Sequence, residues 1–128
     1  MDGSPSTPIE AVAQWLDGYH AKVMAEEAQA LALLEQGDRD GHARHMRAKA
    51  TLLADIDKAA KPVLEPLPGE RRFKTAHRLV RFSESARTAL KLGSIFYMSA
   101  LLYPADHKKG EPDDLAVFIE TLKSDGPA

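Results

Sequence analysis

Gln36-Gly37-Asp38 decides the fold. Gly37 suits the left-handed position that closes a helix, and Asp38 suits the N-cap that opens the next one. On the N-terminal side Ile9, Val12, Leu16, Tyr19, Val23, Glu26, Ala30 and Leu33 recur at spacings of three and four. On the C-terminal side Met46, Lys49, Leu52 or Leu53, Ile56, Ala60 and Val63 do the same. Both are helical stripes. Each apolar stripe has a polar interruption, at Glu26 and Glu27 in the first and at Lys49 in the second. Glu26 stands eleven residues before Gly37 and Lys49 eleven after Asp38. If the helices fold back antiparallel about this turn, Glu26 or Glu27 meets Lys49 across the seam and sets its register.

Working outward, Thr7-Pro8-Ile9-Glu10 reads as a helix start: Thr7 caps, Pro8 takes the first helical position and Glu10 completes a capping box. Pro62, Pro66 and Pro68 end or kink the second helix near Lys61 and make a rigid crossover. A third helix is expected from Gly69 or Glu70 to Tyr103, where Pro104 stops it, with a bend placed at Gly93. At about 1.5 Å per residue it would be roughly 50 Å long. Residues 104–111 read as a polar loop. Pro112 then opens a short helix with Leu115, Phe118, Ile119 and Leu122 on one face. Residues 1–6 and 124–128 are expected to be disordered. The fold predicted is all-α: a helical hairpin, a long third helix and a short C-terminal helix in a roughly four-helix bundle spanning 1–128 as one domain. Short turns make the first three helices up-down-up. The third helix has two apolar seams, Phe73/Val80/Leu90/Tyr97/Leu101 and Leu79/Phe82/Phe96/Ala100, so a homodimer through it is one way to cover both.

The 128 residues suffice for a core, and the formal charge of −2 gives no global pull toward nucleic acid or an anionic membrane. Charge is uneven along the chain. Residues 1–36 carry six acids and one base, 38–91 carry thirteen bases and seven acids (net +6), and 92–128 carry six acids and three bases. Acidic flanks around a basic middle favour docking of the flanks onto the middle. With no cysteine there is no disulfide framework and no thiolate metal site, as expected of a cytoplasmic protein. The N-terminus shows no secretion signal. The most apolar run, Ile95 to Tyr103, is about half the roughly 20 residues needed to span a bilayer.

Chemistry-bearing patterns are sparse. His42 and His45 stand at i and i+3, and Asp17-x-x-His20 repeats that spacing, yet the Glu-x-x-His pairs of di-iron bundles are missing. No metal or other cofactor is expected. Ser83 and Ser85 lie six and eight residues from His77, too far along a helix for a nucleophile–base pair, and no glycine-rich phosphate loop occurs. The chain is therefore read as non-enzymatic. Arg71, Lys74, Arg78 and Arg81 form a basic stripe that could track phosphates. No aromatic is expected on that face and the acidic flanks could neutralise it, so nucleic-acid binding is the alternative function. The first choice for partner binding is the short amphipathic C-terminal helix, through Leu115, Phe118, Ile119 and Leu122. A helix of that length is marginal alone and must bury its face in its own bundle or on a partner.

Ala28-Gln29-Ala30-Leu31-Ala32-Leu33-Leu34-Glu35-Gln36-Gly37-Asp38, continued by Arg47-Ala48-Lys49-Ala50-Thr51-Leu52-Leu53-Ala54-Asp55-Ile56, resembles the helical hairpin of flagellar export chaperones of the FlgN/FliT type over about residues 20–60. The resemblance implies a small cytoplasmic helical adaptor that sequesters C-terminal helices of secreted subunits without catalysis.

Overall fold

The computed structural model describes residues 7–124. Among these, six helices follow in order: α1 (Pro8–Glu35), α2 (Arg39–Ala59), α3 (Lys61–Leu64), α4 (Gly69–Leu92), α5 (Ile95–Ala100) and α6 (Asp114–Ser124). The described residues contain no strand, and the fold is an all-α bundle. The expected disorder at 1–6 and 124–128 concerns residues outside those described, except Ser124, which ends α6.

Local chemistry explains the boundaries. Thr7 Oγ1 accepts from the Glu10 amide at 3.2 Å and donates to Glu10 Oε1 at 2.9 Å, closing the first turn of α1. At the α1–α2 turn Gly37 adopts φ 83°, which a side chain would resist, and Asp38 Oδ1 accepts from the Gly41 amide at 2.8 Å. Gly41 sits tightly under this cap: a Cβ there would lie 2.5 Å from Asp38 Oδ2 and 2.9 Å from Leu33 Cδ1, so a larger residue would require those side chains to shift. After α2, Pro62 enters the single turn α3, and buried Leu64 and Leu67 tie the crossover to the core.

The helix α2 is the centre of the bundle, with α1 along one side and α4 along the other. The long third helix expected from Gly69 to Tyr103 is instead two helices. Gly93 takes a left-handed φ of 65° and ends α4, while Ser94 caps α5 by accepting from the Tyr97 amide at 3.1 Å. Gly93 therefore stops the helix rather than bending it. The smaller helix α5 packs on α2 and α4, and α6 packs on α1. Asp113 lies beside His20, and Lys123 Nζ is 3.0 Å from Asp17 Oδ2, so both ends of α6 are tied to the N-terminal half of α1. Together α5 and α6 fill the fourth position of the bundle, with the irregular stretch 101–113 between them.

The core divides accordingly. A large aliphatic cluster includes Val12, Leu16, Val23, Leu53, Ile56, Leu79, Leu115 and Ile119. A second, smaller cluster near the hairpin turn consists of Ala30, Met46, Ala50, Ala89 and Met98.

Candidate functional site

Where the fourth helix is interrupted, α1 and α2 turn polar groups inward. Lys49 has 0% relative exposure, the most enclosed charged residue described. Its Nζ donates to Glu27 Oε1 at 2.7 Å and to the Ser99 carbonyl at 3.1 Å, and lies 5.0 Å from the centre of the Tyr103 ring. The Tyr103 hydroxyl donates to the other Glu27 oxygen. The lysine thus caps a carbonyl orphaned where α5 stops, and Glu27 bridges lysine and tyrosine. Glu26 goes elsewhere: its Oε1 is 2.7 Å from His45 Nδ1. Adjacent glutamates on α1 thereby meet two different residues of α2.

About two turns from Glu27 toward the start of α1, His20 Nε2 is 2.7 Å from Asp113 Oδ2. Asp113 Oδ1 also accepts from the Ala116 amide at 2.9 Å, so a single carboxylate caps α6 and ties it to α1. The bond to Asp113 raises the His20 pKa, burial opposing it. Burial pushes Asp113 up, but the His20 and Ala116 bonds outweigh it and hold the carboxyl below its ordinary range. Burial pulls Lys49 down against the support of Glu27, and burial together with Glu27 pushes the Tyr103 phenol far up.

The stretch 101–113 is held at both ends. Leu102 is the only non-glycine described with positive φ, at 78°, an uncommon conformation for a branched side chain. Its side chain is buried, and its carbonyl accepts from the Asp114 amide at 2.9 Å. Core burial and the clasp between the two ends of the stretch compensate for the strain.

Perturbed titratable groups clustered together invite a catalytic reading. Here every buried side-chain nitrogen and oxygen described has a hydrogen-bond partner. The described grooves lie elsewhere, along α4. No cluster of three His, Cys, Asp or Glu among the described residues could hold a metal ion. The network is satisfied from within and ties α1, α2, α5 and the stretch beyond α5 to one another.

The C-terminal face expected to bind a partner is internal. Leu115, Phe118, Ile119 and Leu122 are 0%, 7%, 2% and 4% exposed. The hydrophobic area they bury, about 1.5–3 kcal/mol for each large side chain, is what docks α6 onto α1 and toward α4. Val117 is the exposed large apolar residue of that helix.

The basic stripe behaves differently from expectation. Arg78 places its guanidinium 5.3 Å from the Phe82 and Phe118 ring centres, and Phe73 stands exposed beside Lys74 with its ring 6.2 Å from that of His77. Aromatics do interleave the bases, because Phe73 points out while α4 buries a narrow line of Thr75, Leu79, Ser83, Ala86 and Ala89. Arg71 is partly buried, Arg81 is exposed, and Lys74 pairs with Glu70 at 3.2 Å in open solvent. Of the two seams of the expected third helix, Leu79 is buried and Val80, Phe82, Leu90 and Leu101 are half-buried, whereas Phe73, Phe96 and Tyr97 remain exposed. Leu92 is exposed at the end of α4, and Phe96 and Tyr97 lie with ring centres 5.8 Å apart. Sequence reasoning missed Tyr103, Asp113 and Ser99, since their roles depend on where the fourth helix breaks. No helix described is long and apolar enough to cross a membrane. No protein-family model, curated protein or solved structure matches the chain.

Proposed function

We propose that this protein is a non-enzymatic adaptor or chaperone that binds a helical segment of a protein partner. The observation that carries the reading is the outward placement of Phe73, Leu92, Phe96 and Tyr97, from 52% to 73% exposed along α4 and α5. Aromatic anchors of this kind dominate the energetics of protein interfaces. The resemblance to flagellar export chaperones supplies the specific form of the proposal, a client that is the C-terminal helix of an exported subunit. The partner surface is assigned to α4 and α5, since the face of α6 closes the chain's own core.

A photo-reactive amino acid at Phe73 or Phe96, with exposed Thr51 of α2 as a control position, tests this in cells. Adducts at the two aromatic positions that map to amphipathic helices of one and the same protein are expected, with Thr51 blank. Absence of adducts at both aromatic positions, or equal yield at Thr51, would remove the reading.

A second reading, single-stranded nucleic acid on α4, is favoured by exposed Phe73 beside Lys74, Arg78 and Arg81, because bases stack on such rings between phosphate contacts. Filter retention of oligonucleotides at low salt tests it, and no retention discards it.

A further inference from the structure

We infer that the outer face of α4 around Phe73 is the docking site for an acidic amphipathic helix, an inference that rests on the adaptor reading. Phe73 is 61% exposed and forms the ridge between two grooves. One, of about 370 Å³, lies between α3 and α4 against Leu64, Arg72 and Ala76; the other, of about 390 Å³, lies against Lys74, His77 and Arg78. A ridge with a depression on each side accepts two apolar side chains from a partner. Phe73, His77 and Arg81 recur every four residues, as do Lys74 and Arg78, so the surface runs along the helix axis and suits another helix laid against it.

Charge selects the sign of that helix. Lys61, Arg72, Lys74 and Arg78 line the two grooves and exposed Arg81 follows along α4, with Glu65 and Glu70 as the nearby acids, Glu70 pairing with Lys74 in open solvent. Four acids of the flanks are engaged away from this ridge: Glu27 with Lys49, Glu26 with His45, Asp113 with His20 and Asp17 with Lys123. Two of the cations are already held in place. Arg78 lies over the rings of Phe82 and Phe118, and Arg72 Nη1 donates to the Glu65 carbonyl at 3.1 Å. Cations fixed before binding lose less entropy when they pair with a carboxylate. A single strand of nucleic acid would meet the charges and stack a base on the Phe73 ring, but would not lay an apolar stripe into both grooves. Carboxylates flanking an apolar stripe satisfy both features at once.

Fluorescence anisotropy tests the site with a labelled synthetic helix of leucine and glutamate in an amphipathic pattern. The same pattern with lysine for glutamate, and an oligothymidine, serve as the competing probes. The acidic peptide is expected to bind and the basic one not. Phe73→Ala should weaken binding about tenfold or more, and Lys74→Glu with Arg81→Glu should abolish most of its salt dependence. All three positions are exposed, and unchanged circular-dichroism melts would show that the variants still fold. Equal binding of both peptides, indifference to Phe73→Ala, or preference for oligothymidine would overturn the inference. If Phe96→Ala rather than Phe73→Ala abolishes peptide binding, this site is wrong while the adaptor reading stands. Blank photo-crosslinking at both aromatics instead removes the adaptor reading itself.

Discussion

The two ends of the bundle are built from different materials. Away from the hairpin turn, α1, α2, α4 and α6 enclose Val12, Leu16, Leu53, Ile56, Leu79, Leu115 and Ile119, all branched and 3% exposed or less. Near the turn, α5 lies over a small cluster of alanines and two methionines. Branched aliphatics in fixed rotamers specify one packing, whereas alanine brings little area and methionine adapts to irregular space. Between the ends sits the polar layer of Lys49, Glu27 and Tyr103, at the level where the fourth helix is missing. The difference teaches where stability and availability reside. The aliphatic end secures the fold, and the thinner end is bordered by exposed Leu31, Leu34, Leu92, Phe96 and Tyr97.

The largest expected effect comes from the layer between the ends. Lys49→Ala leaves the Glu27 carboxylate and the Ser99 carbonyl without their shared donor and should cost about 3–5 kcal/mol in chemical denaturation. Lys49→Met keeps the volume and should be better tolerated, while Glu27→Lys sets two cations in one seam and should do worse than either. The loss should also be uneven. Amides of 95–100, whose helix end Lys49 caps, are expected to gain exchange by local opening, whereas amides at the centre of α6 should follow global unfolding. Uniform acceleration at both ends would break the distinction between them. A Lys49→Ala variant as stable as the parent would mean that Glu27 finds water, and that the layer contributes nothing to holding the ends together.

Much of this arrangement is legible in the sequence because it follows local rules. The hairpin turn needs only Gly37, Asp38 and a stripe at helical spacing on each side. Mirrored counting from the turn brings the Glu26-Glu27 pair to Lys49 within one residue, and Glu27 is the one that meets it. The third helix is less legible. Gly93 marks an interruption in the pattern, but whether the chain bends there or ends the helix depends on whether Ser94 can start another one against α2. The partners of Lys49 are less legible still. Ser99 contributes a backbone carbonyl, which no side-chain pattern announces, and Tyr103 reaches Glu27 across 76 positions of sequence. The C-terminal helix carries an apolar face that pattern alone cannot assign to its own core or to a partner, since the same side chains serve either purpose. Phe73 hid in the same way: an aromatic at helical spacing reads as core, and it points out because α4 buries only a narrow line.

A smaller effect separates the attachment of α6 from the polar layer. The His20–Asp113 pair faces Asp17 and Glu27 on α1, Lys49 on α2 and the Tyr103 phenol, all within the same electrostatic neighbourhood. The His20 pKa is raised by folding, so its contribution is complete below the ordinary 6.5 and is lost as pH rises through the raised value. Asp113 is depressed, so its contribution is complete above the ordinary 3.8 and is lost as pH falls through the lower value. Between those two ordinary values the tether is at full strength. His20→Gln should remove about 1–2 kcal/mol there, since a hydrogen bond between charged groups is worth about 1.5–3 kcal/mol and the amide retains part of it. The difference between parent and variant should shrink in alkali as the imidazole loses its proton. A constant difference from pH 5 to pH 10 would show that His20 acts by packing alone, and the end secured by α6 would then owe its attachment to Leu115, Phe118, Ile119 and Leu122 without electrostatic help.

The smallest effect is expected where α2 and α4 are already joined by packing. Arg87 Nη2 donates to Asp57 Oδ1 and Oδ2 at 2.9 and 3.1 Å, and the Ser83 hydroxyl accepts from the Asp57 amide at 3.2 Å. Burial pushes Asp57 up, but the bonds from Ser83, Arg87 and the Lys58 amide outweigh it and lower its pKa. The arginine is 42% exposed, so water competes for both of its charge-assisted bonds. Arg87→Ala should therefore cost within about 1 kcal/mol, less in high salt. Ser83 is fully buried, and Ser83→Val should cost more than Arg87→Ala, because it replaces a hydroxyl bonded inside the seam with carbon that cannot accept. If the arginine variant proved the more damaging, the α2–α4 contact would depend on its rim rather than on the small side chains beneath it. The aliphatic end would then owe more to its surface charges than to the packing beneath them.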